Sequence, residues 1–166
     1  MPLGPLGLLD TAQVSKDVLK KLAAIESFDL SFINTELLAK HTAYIPVDEI
    51  DTAVRELRRF LSLTLLVKKP KYDAFVPAQK VDFAWHEFIL RTRQYREFCE
   101  GLIGAFVDHN PAESRSAGRA AAAGELFYYT KQCLQQVYGP TPPYIWGIPN
   151  ACDAGAVCRE PARLFV

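Results

Sequence analysis

Two histidines and an aspartate carry the donor atoms in this chain that are best suited to chemistry. Asp82 and His86 lie four residues apart in a segment with helical apolar spacing, so their side chains share one face of a helix. His109 follows beyond the end of that helix, in the connector 103–111. This connector has to fold back onto the helix. Two imidazoles and a carboxylate that converge can bind zinc, or iron with open coordination positions. The three residues are therefore candidate ligands of a divalent metal, and such a protein could be an enzyme.

The same three residues also fit a structural role. Their spacing matches no closed metal-binding motif. Asp82 would then form an ion pair with His86 or with a nearby arginine, and His109 would cap a turn. In this alternative the cluster is a polar latch that fastens the connector onto the helix. The chain would be a non-catalytic interaction module whose exposed aromatic residues bind a protein partner, and the sequence leaves both interpretations open.

The four cysteines are not placed for catalysis. Cys99 lies thirteen residues after His86, which turns an α-helix by about 220° and puts the thiol nearly on the opposite side. Cys99 and Cys133 fall on apolar stripes and are predicted to be core residues. Cys152 and Cys158 are too far apart for a CxxC element and are predicted to be free thiols, with a loop closed by oxidation as the alternative.

Several function classes are disfavoured by composition and by missing motifs. The chain has no phosphate-binding glycine loop, GxSxG elbow, HExxH helix or dinucleotide fingerprint. Lys and Arg number 19, as do Asp and Glu, so no nucleic-acid partner is expected. The longest apolar run, 60–67, falls short of the roughly 20 residues that span a bilayer. The apolar N-terminus lacks a basic region, and we expect a cytoplasmic protein without membrane insertion. The oligomeric state stays open.

The apolar periodicity predicts an all-α fold, a single-domain bundle of about five helices. An irregular arm over 1–14 would precede a helical domain over 15–139, and a loop-rich tail would follow over 140–166. Ser15 and Asp48 are predicted to cap the first and third helices. The third helix carries its apolar stripe over 50–65. This stripe should pack against that of the fourth helix, over 81–102, at the centre of the bundle.

The fourth helix is the most strongly patterned and is predicted to run unbroken from near Lys80. Its apolar stripe consists of Val81, Trp85, Phe88, Thr92, Tyr95, Cys99 and Leu102. Trp85 and Tyr95 would wall the candidate metal site. A fifth helix ends before Gly139-Pro140, and Tyr144 to Trp146 are expected to pack back onto the bundle.

One segment also resembles a known family. The run 81–90 (VDFAWHEFIL), then Tyr95, Cys99 and 108–111 (DHNP), is similar to the bacterial and plant glycine-rich domain-containing proteins and their relatives. The resemblance extends over most of 25–150 and implies no reaction. The chain departs from that family at Phe88, where many relatives have a histidine, and at Asp108-His109, where they have a double histidine. Its tail also has only Gly147 and Gly155.

Overall fold

The computed structural model describes residues 3–72, 74–109 and 117–147, without the side chains of 117–123. Within these ranges the chain forms seven α-helices and no strand, which confirms the all-α prediction. The helices are α1 (Lys16–Ser27), α2 (Ser31–Lys40), α3 (Ile50–Leu66), α4 (Gln79–Leu90), α5 (Thr92–Phe98), α6 (Ala117–Tyr138) and α7 (Pro143–Trp146). Across the same ranges, no helix is both long and apolar enough to cross a membrane.

The two predicted helix caps have different outcomes. The Ser15 hydroxyl accepts a hydrogen bond from the Val18 N–H at 3.2 Å, so the cap of α1 is confirmed. The prediction that Asp48 caps α3 is wrong. The chain forms a 3₁₀ turn over Val47–Glu49, and the backbone carbonyls of Pro46 and Val47 accept the N–H groups of Glu49 and Ile50. Because the turn already pairs these donors, α3 begins without a side-chain cap.

Helix α3 lies at the centre of the bundle and packs against α1, α2, α4 and α6. Its second half is buried around nearly the whole circumference, including Phe60, Leu61, Ser62 and Leu63. The predicted packing of the third helix against the fourth is present, and the rings of Phe60 and Trp85 meet edge to face at 5.2 Å. The central pair therefore forms a rigid support beneath one face of α4.

The predicted unbroken fourth helix is wrong. It divides into α4, α5 and a π-helical turn over Cys99–Ile103, with Arg91 at φ −88° and ψ 65° between the first two. In a straight helix Trp85 and Tyr95 would be about 15 Å apart along the axis. The break brings the Tyr95 hydroxyl to 3.0 Å from the Trp85 indole nitrogen. Apolar periodicity could not show this break, because both helices bury the same stripe in the same core.

The two ends of the described chain close over α3. The N-terminal segment makes a 3₁₀ turn over Pro5–Gly7 and buries Leu6. The tail, expected to be loop, forms the short helix α7 after Pro142 and buries Trp146 as predicted, whereas Tyr144 stays about half exposed. Both ends are positioned by hydrogen bonds to polar residues of α3, which are described below.

Removing the largest buried side chain should destabilise the bundle strongly. Trp85 is fully buried, so Trp85→Ala leaves a cavity between α3 and α4 and should lower the free energy of unfolding by about 3–5 kcal/mol. Urea denaturation followed by circular dichroism measures this loss. As a control, Tyr128→Ala at an exposed position of α6 should change it by less than about 0.5 kcal/mol. A loss below about 1 kcal/mol for Trp85→Ala would contradict the packing described here.

The thiols provide a second check on the helix register. Cys99 and Cys133 are both buried, and burial also raises the pKa of the Cys133 thiol, which disfavours the reactive thiolate. We expect both to resist alkylation in the native protein and to react once it is unfolded, as read by peptide mapping after iodoacetamide treatment. Cys152 and Cys158 lie outside the described residues, and the prediction that they label quickly stays a prediction. Native labelling of Cys99 at its unfolded rate would contradict this register.

Candidate metal centre

Helix α4 places Asp82 and His86 one turn apart on the same side. The Asp82 side chain is buried, whereas the His86 side chain is 52% exposed, so the pair lies at the boundary between core and solvent. Asp82 Oδ2 lies 3.2 Å from His86 Nε2. The i, i+4 spacing therefore produces the contact that the sequence predicted.

The connector after the π-helical turn folds back onto α4. Gly104 ends that turn at φ +91°, a left-handed conformation that disfavours any side chain, and it starts the reversal. Val107 is buried, and its carbonyl accepts a hydrogen bond from the Tyr95 hydroxyl at 2.6 Å. The His109 ring then lies 4.7 Å from the Trp85 ring, centroid to centroid. These contacts return His109 to the face that carries Asp82 and His86.

The donor atoms of the three residues converge. His109 Nε2 lies 2.7 Å from Asp82 Oδ1, and the two Nε2 atoms of His86 and His109 are 2.9 Å apart. One donor atom from each residue falls within 4.8 Å of the others, and this is a group of the kind that can hold a metal ion. The His/Asp cluster predicted from the sequence is therefore present in the fold.

With neutral imidazoles and an ionised Asp82 carboxylate, no arrangement of protons satisfies all three contacts of the cluster. A neutral imidazole carries one N–H, and an ionised carboxylate carries none. If only His109 is protonated at Nε2, the lone pair of His86 Nε2 faces a carboxylate oxygen. If only His86 is protonated there, His109 Nε2 faces Asp82 Oδ1 at 2.7 Å without a hydrogen between them. If both are protonated at Nε2, two N–H groups oppose each other at 2.9 Å. A cation among the donor atoms would remove each of these conflicts.

Partial burial lowers the pKa of His86, and the neighbouring Asp82 carboxylate opposes that shift. His86 is consequently neutral at physiological pH. The neutral imidazole, with a free nitrogen lone pair, is the form that coordinates metals. The electrostatics of the site are therefore compatible with a metal ligand at this position.

The other residues near the site have supporting positions. Trp85 contacts His109 directly, and Tyr95 contacts the connector through Val107, so both lie beside the cluster as expected. The third histidine, His41, lies 3.0 Å from the buried carboxylate of Glu87. Sequence reasoning missed Glu87, because a glutamate next to His86 on a helix looks like an ordinary solvated residue. Its burial depends on α2, whose Lys40 also pairs with it at 3.3 Å.

Comparison with known proteins identifies the family of this chain. A family model described as UCP032817-like matches residues 20–145, which include Asp82, His86 and His109. No curated protein and no solved structure matches the chain.

The resemblance to glycine-rich domain-containing proteins is wrong, because the matching family is a different one. Much of the pattern behind it, including Trp85, Phe88 and Tyr95, consists of buried aromatic residues. Such residues recur wherever helices pack and are weak markers of a family. The chain belongs to the UCP032817-like family.

Proposed function

We propose that this protein binds a divalent metal ion, zinc or iron, through Asp82, His86 and His109. The observation that carries the proposal is the convergence of two imidazole nitrogens and a carboxylate, whose three contacts cannot all be satisfied while the imidazoles are neutral and the carboxylate is ionised. A single cation among these atoms would bind the lone pairs of both imidazoles and of the carboxylate and would remove the conflict. Imidazole and carboxylate together suit zinc and iron better than calcium or magnesium, which prefer oxygen ligands.

The spacing of the donor atoms supports this assignment. In a tetrahedral centre with bonds of about 2.0–2.1 Å, neighbouring ligand atoms lie about 3.3 Å apart. In the cluster, His109 Nε2 lies 2.7 Å from Asp82 Oδ1 and 2.9 Å from His86 Nε2, and His86 Nε2 lies 3.2 Å from the other carboxylate oxygen, Oδ2. Side-chain rotations that widen the two shortest separations by about 0.4–0.6 Å would admit an ion.

The exposure of the site favours a centre open to ligands over a purely structural ion. Structural zinc sites are closed by four protein ligands, whereas catalytic ones keep a position for water or substrate. Among the described residues the cluster supplies three ligands, and the His86 side chain faces solvent over half its surface. An ion here could act as a Lewis acid, so the proposed metal protein could be an enzyme. We place it in the cytoplasm and propose no nucleic-acid partner for it.

The latch is the second candidate function, and the position of the cluster supports it. The three side chains join α4 to the connector beside the buried Trp85, which is where a fastener would act. Without a metal, both Nε2 atoms would carry hydrogens directed to the two carboxylate oxygens, and these two nitrogens would move slightly apart from their separation of 2.9 Å. Exposed aromatic residues such as Tyr144 would then be available to a protein partner.

Metal analysis tests the proposal directly. Purified protein dialysed against zinc and then against buffer should retain about one equivalent by mass spectrometry. His86→Ala removes one of three ligands and should abolish retention. His41→Ala is the matched control, because it removes a histidine that pairs with Glu87, outside the cluster, and should retain the metal. Cys99→Ala should retain it too and only loosen the core. Wild-type protein without retained metal, or equal retention by both histidine variants, would contradict the metal site.

Metal affinity should also depend on pH in one direction. Protons compete with the metal for the imidazole nitrogens, so binding should be strongest above the histidine range and weaken as the pH falls below about 6.5, because burial lowers the pKa of His86. Titration calorimetry with zinc from pH 7.5 to pH 5.5 measures this change. An affinity that stays constant over that interval would show that the imidazoles do not coordinate the ion.

A further inference from the structure

The position of His109 depends on a segment without helical hydrogen bonding. The backbone of 105–109 is irregular, so the residue is not held by its own secondary structure. The best-anchored point of this segment is Val107, which is fully buried and lies two residues before His109. Its carbonyl accepts the short hydrogen bond from the Tyr95 hydroxyl. That bond therefore anchors the backbone beside His109 to the rigid helices, in addition to the contacts that the His109 ring itself makes with Trp85 and Asp82.

The Tyr95 side chain is itself rigidly held. Its ring is buried and meets the rings of Phe88 and Phe106 edge to face, at 5.0 and 5.3 Å. Its hydroxyl oxygen accepts from the Trp85 indole N–H while its hydrogen is donated to Val107. A phenol can be acceptor and donor at once, whereas phenylalanine can be neither. The hydroxyl thus links α4, α5 and the connector at one buried point.

We infer that Tyr95 is a positioning residue for the metal centre, whose hydroxyl sets the place of His109 relative to Asp82 and His86. This inference rests on the proposed metal-binding function. Two residues span at most about 7 Å, so a displacement of the Val107 carbonyl is passed on to the His109 backbone with little slack. Metal bonds tolerate deviations of only about 0.2 Å. Loss of the hydroxyl should therefore weaken metal binding although Tyr95 is not itself a ligand in the cluster.

The chain offers a matched control in Tyr138. This residue is also buried, and its hydroxyl also forms a buried hydrogen bond, to Ser62 at 2.5 Å. It lies at the end of α6 beneath the guanidinium of Arg59, away from the cluster. Tyr138→Phe therefore removes the same chemical group from the core without touching the path to His109. Any general effect of a lost buried phenol should appear in both variants.

The experiment compares zinc affinities of wild type, Tyr95→Phe and Tyr138→Phe by competition with a chromophoric chelator. Loss of a supporting hydrogen bond around a metal site typically weakens binding by about 10–100-fold, and we expect this for Tyr95→Phe. Tyr138→Phe should stay close to wild type. The visible spectrum of the cobalt-substituted protein should change only in Tyr95→Phe, because it reports ligand geometry. Equal affinities and spectra in Tyr95→Phe and wild type, or equal losses in both variants, would overturn the inference.

A conservative replacement guards against misfolding of Tyr95→Phe. Tyr95→4-aminophenylalanine keeps a donor and an acceptor at the ring position of the hydroxyl. It should recover most of the zinc affinity that Tyr95→Phe loses. If the amino variant folds with a wild-type circular dichroism spectrum yet binds zinc as weakly as Tyr95→Phe, the hydrogen bond does not position the ligand.

Failure of the metal proposal would be recognised separately. If wild-type protein binds neither zinc nor cobalt, the proposed function fails, and the positioning role is decided on the metal-free protein. The rings of His86 and His109 lie 4.5 Å apart, so their protons should show a nuclear Overhauser effect in wild type and in Tyr138→Phe. Its loss in Tyr95→Phe would support the positioning role, and its retention there would refute it.

Discussion

A buried ion pair in the central helix is the constraint on which much of this fold depends. Glu56 and Arg59 are both buried in α3 and pair at 3.0 Å. Leaving either charge without a partner in the core would cost several kcal/mol. Each also bonds to one end of the described chain: Arg59 Nε donates to the Leu6 carbonyl, and Glu56 accepts from the Trp146 indole N–H. The pair thus draws the N-terminal turn and α7 onto the same helix.

The same principle operates next to the candidate site. The Trp85 indole N–H and the Val107 carbonyl are both buried, and one hydroxyl, that of Tyr95, satisfies them together. This arrangement requires the break at Arg91, which in turn is held by α2, since the Arg91 guanidinium lies over the Phe32 ring and near Glu36. The break and the fold-back of the connector are therefore parts of one hydrogen-bonded unit.

The cluster of Asp82, His86 and His109 is formed by two residues of a packed helix and one residue of an irregular connector. Two donors stand on a helix whose inner face packs against α3, and the third lies on a connector that is anchored two residues before it. Asp82 is held in the core while His86 reaches solvent. Under the proposed function, such an arrangement would preset the ligand geometry and still leave the site accessible, which a structural latch would not need. This contrast favours the metal centre over the latch as the function of the cluster.

Several features were determined by the sequence alone, because they depend on local periodicity. The helical class, the Ser15 cap, the burial of Cys99 and the shared face of Asp82 and His86 all follow from spacing within a few turns.

Other features were decided only by the tertiary structure. Periodicity cannot tell a straight helix from two helices on the same core, so the break at Arg91 was invisible. The burial of Glu56 and Glu87 depends on partners far along the chain, and so does the geometry of His109. That geometry requires a hydroxyl on α5 to meet a carbonyl of the connector. The sequence could identify the candidate ligands, but the distances among them arise from long-range hydrogen bonds that no local pattern encodes.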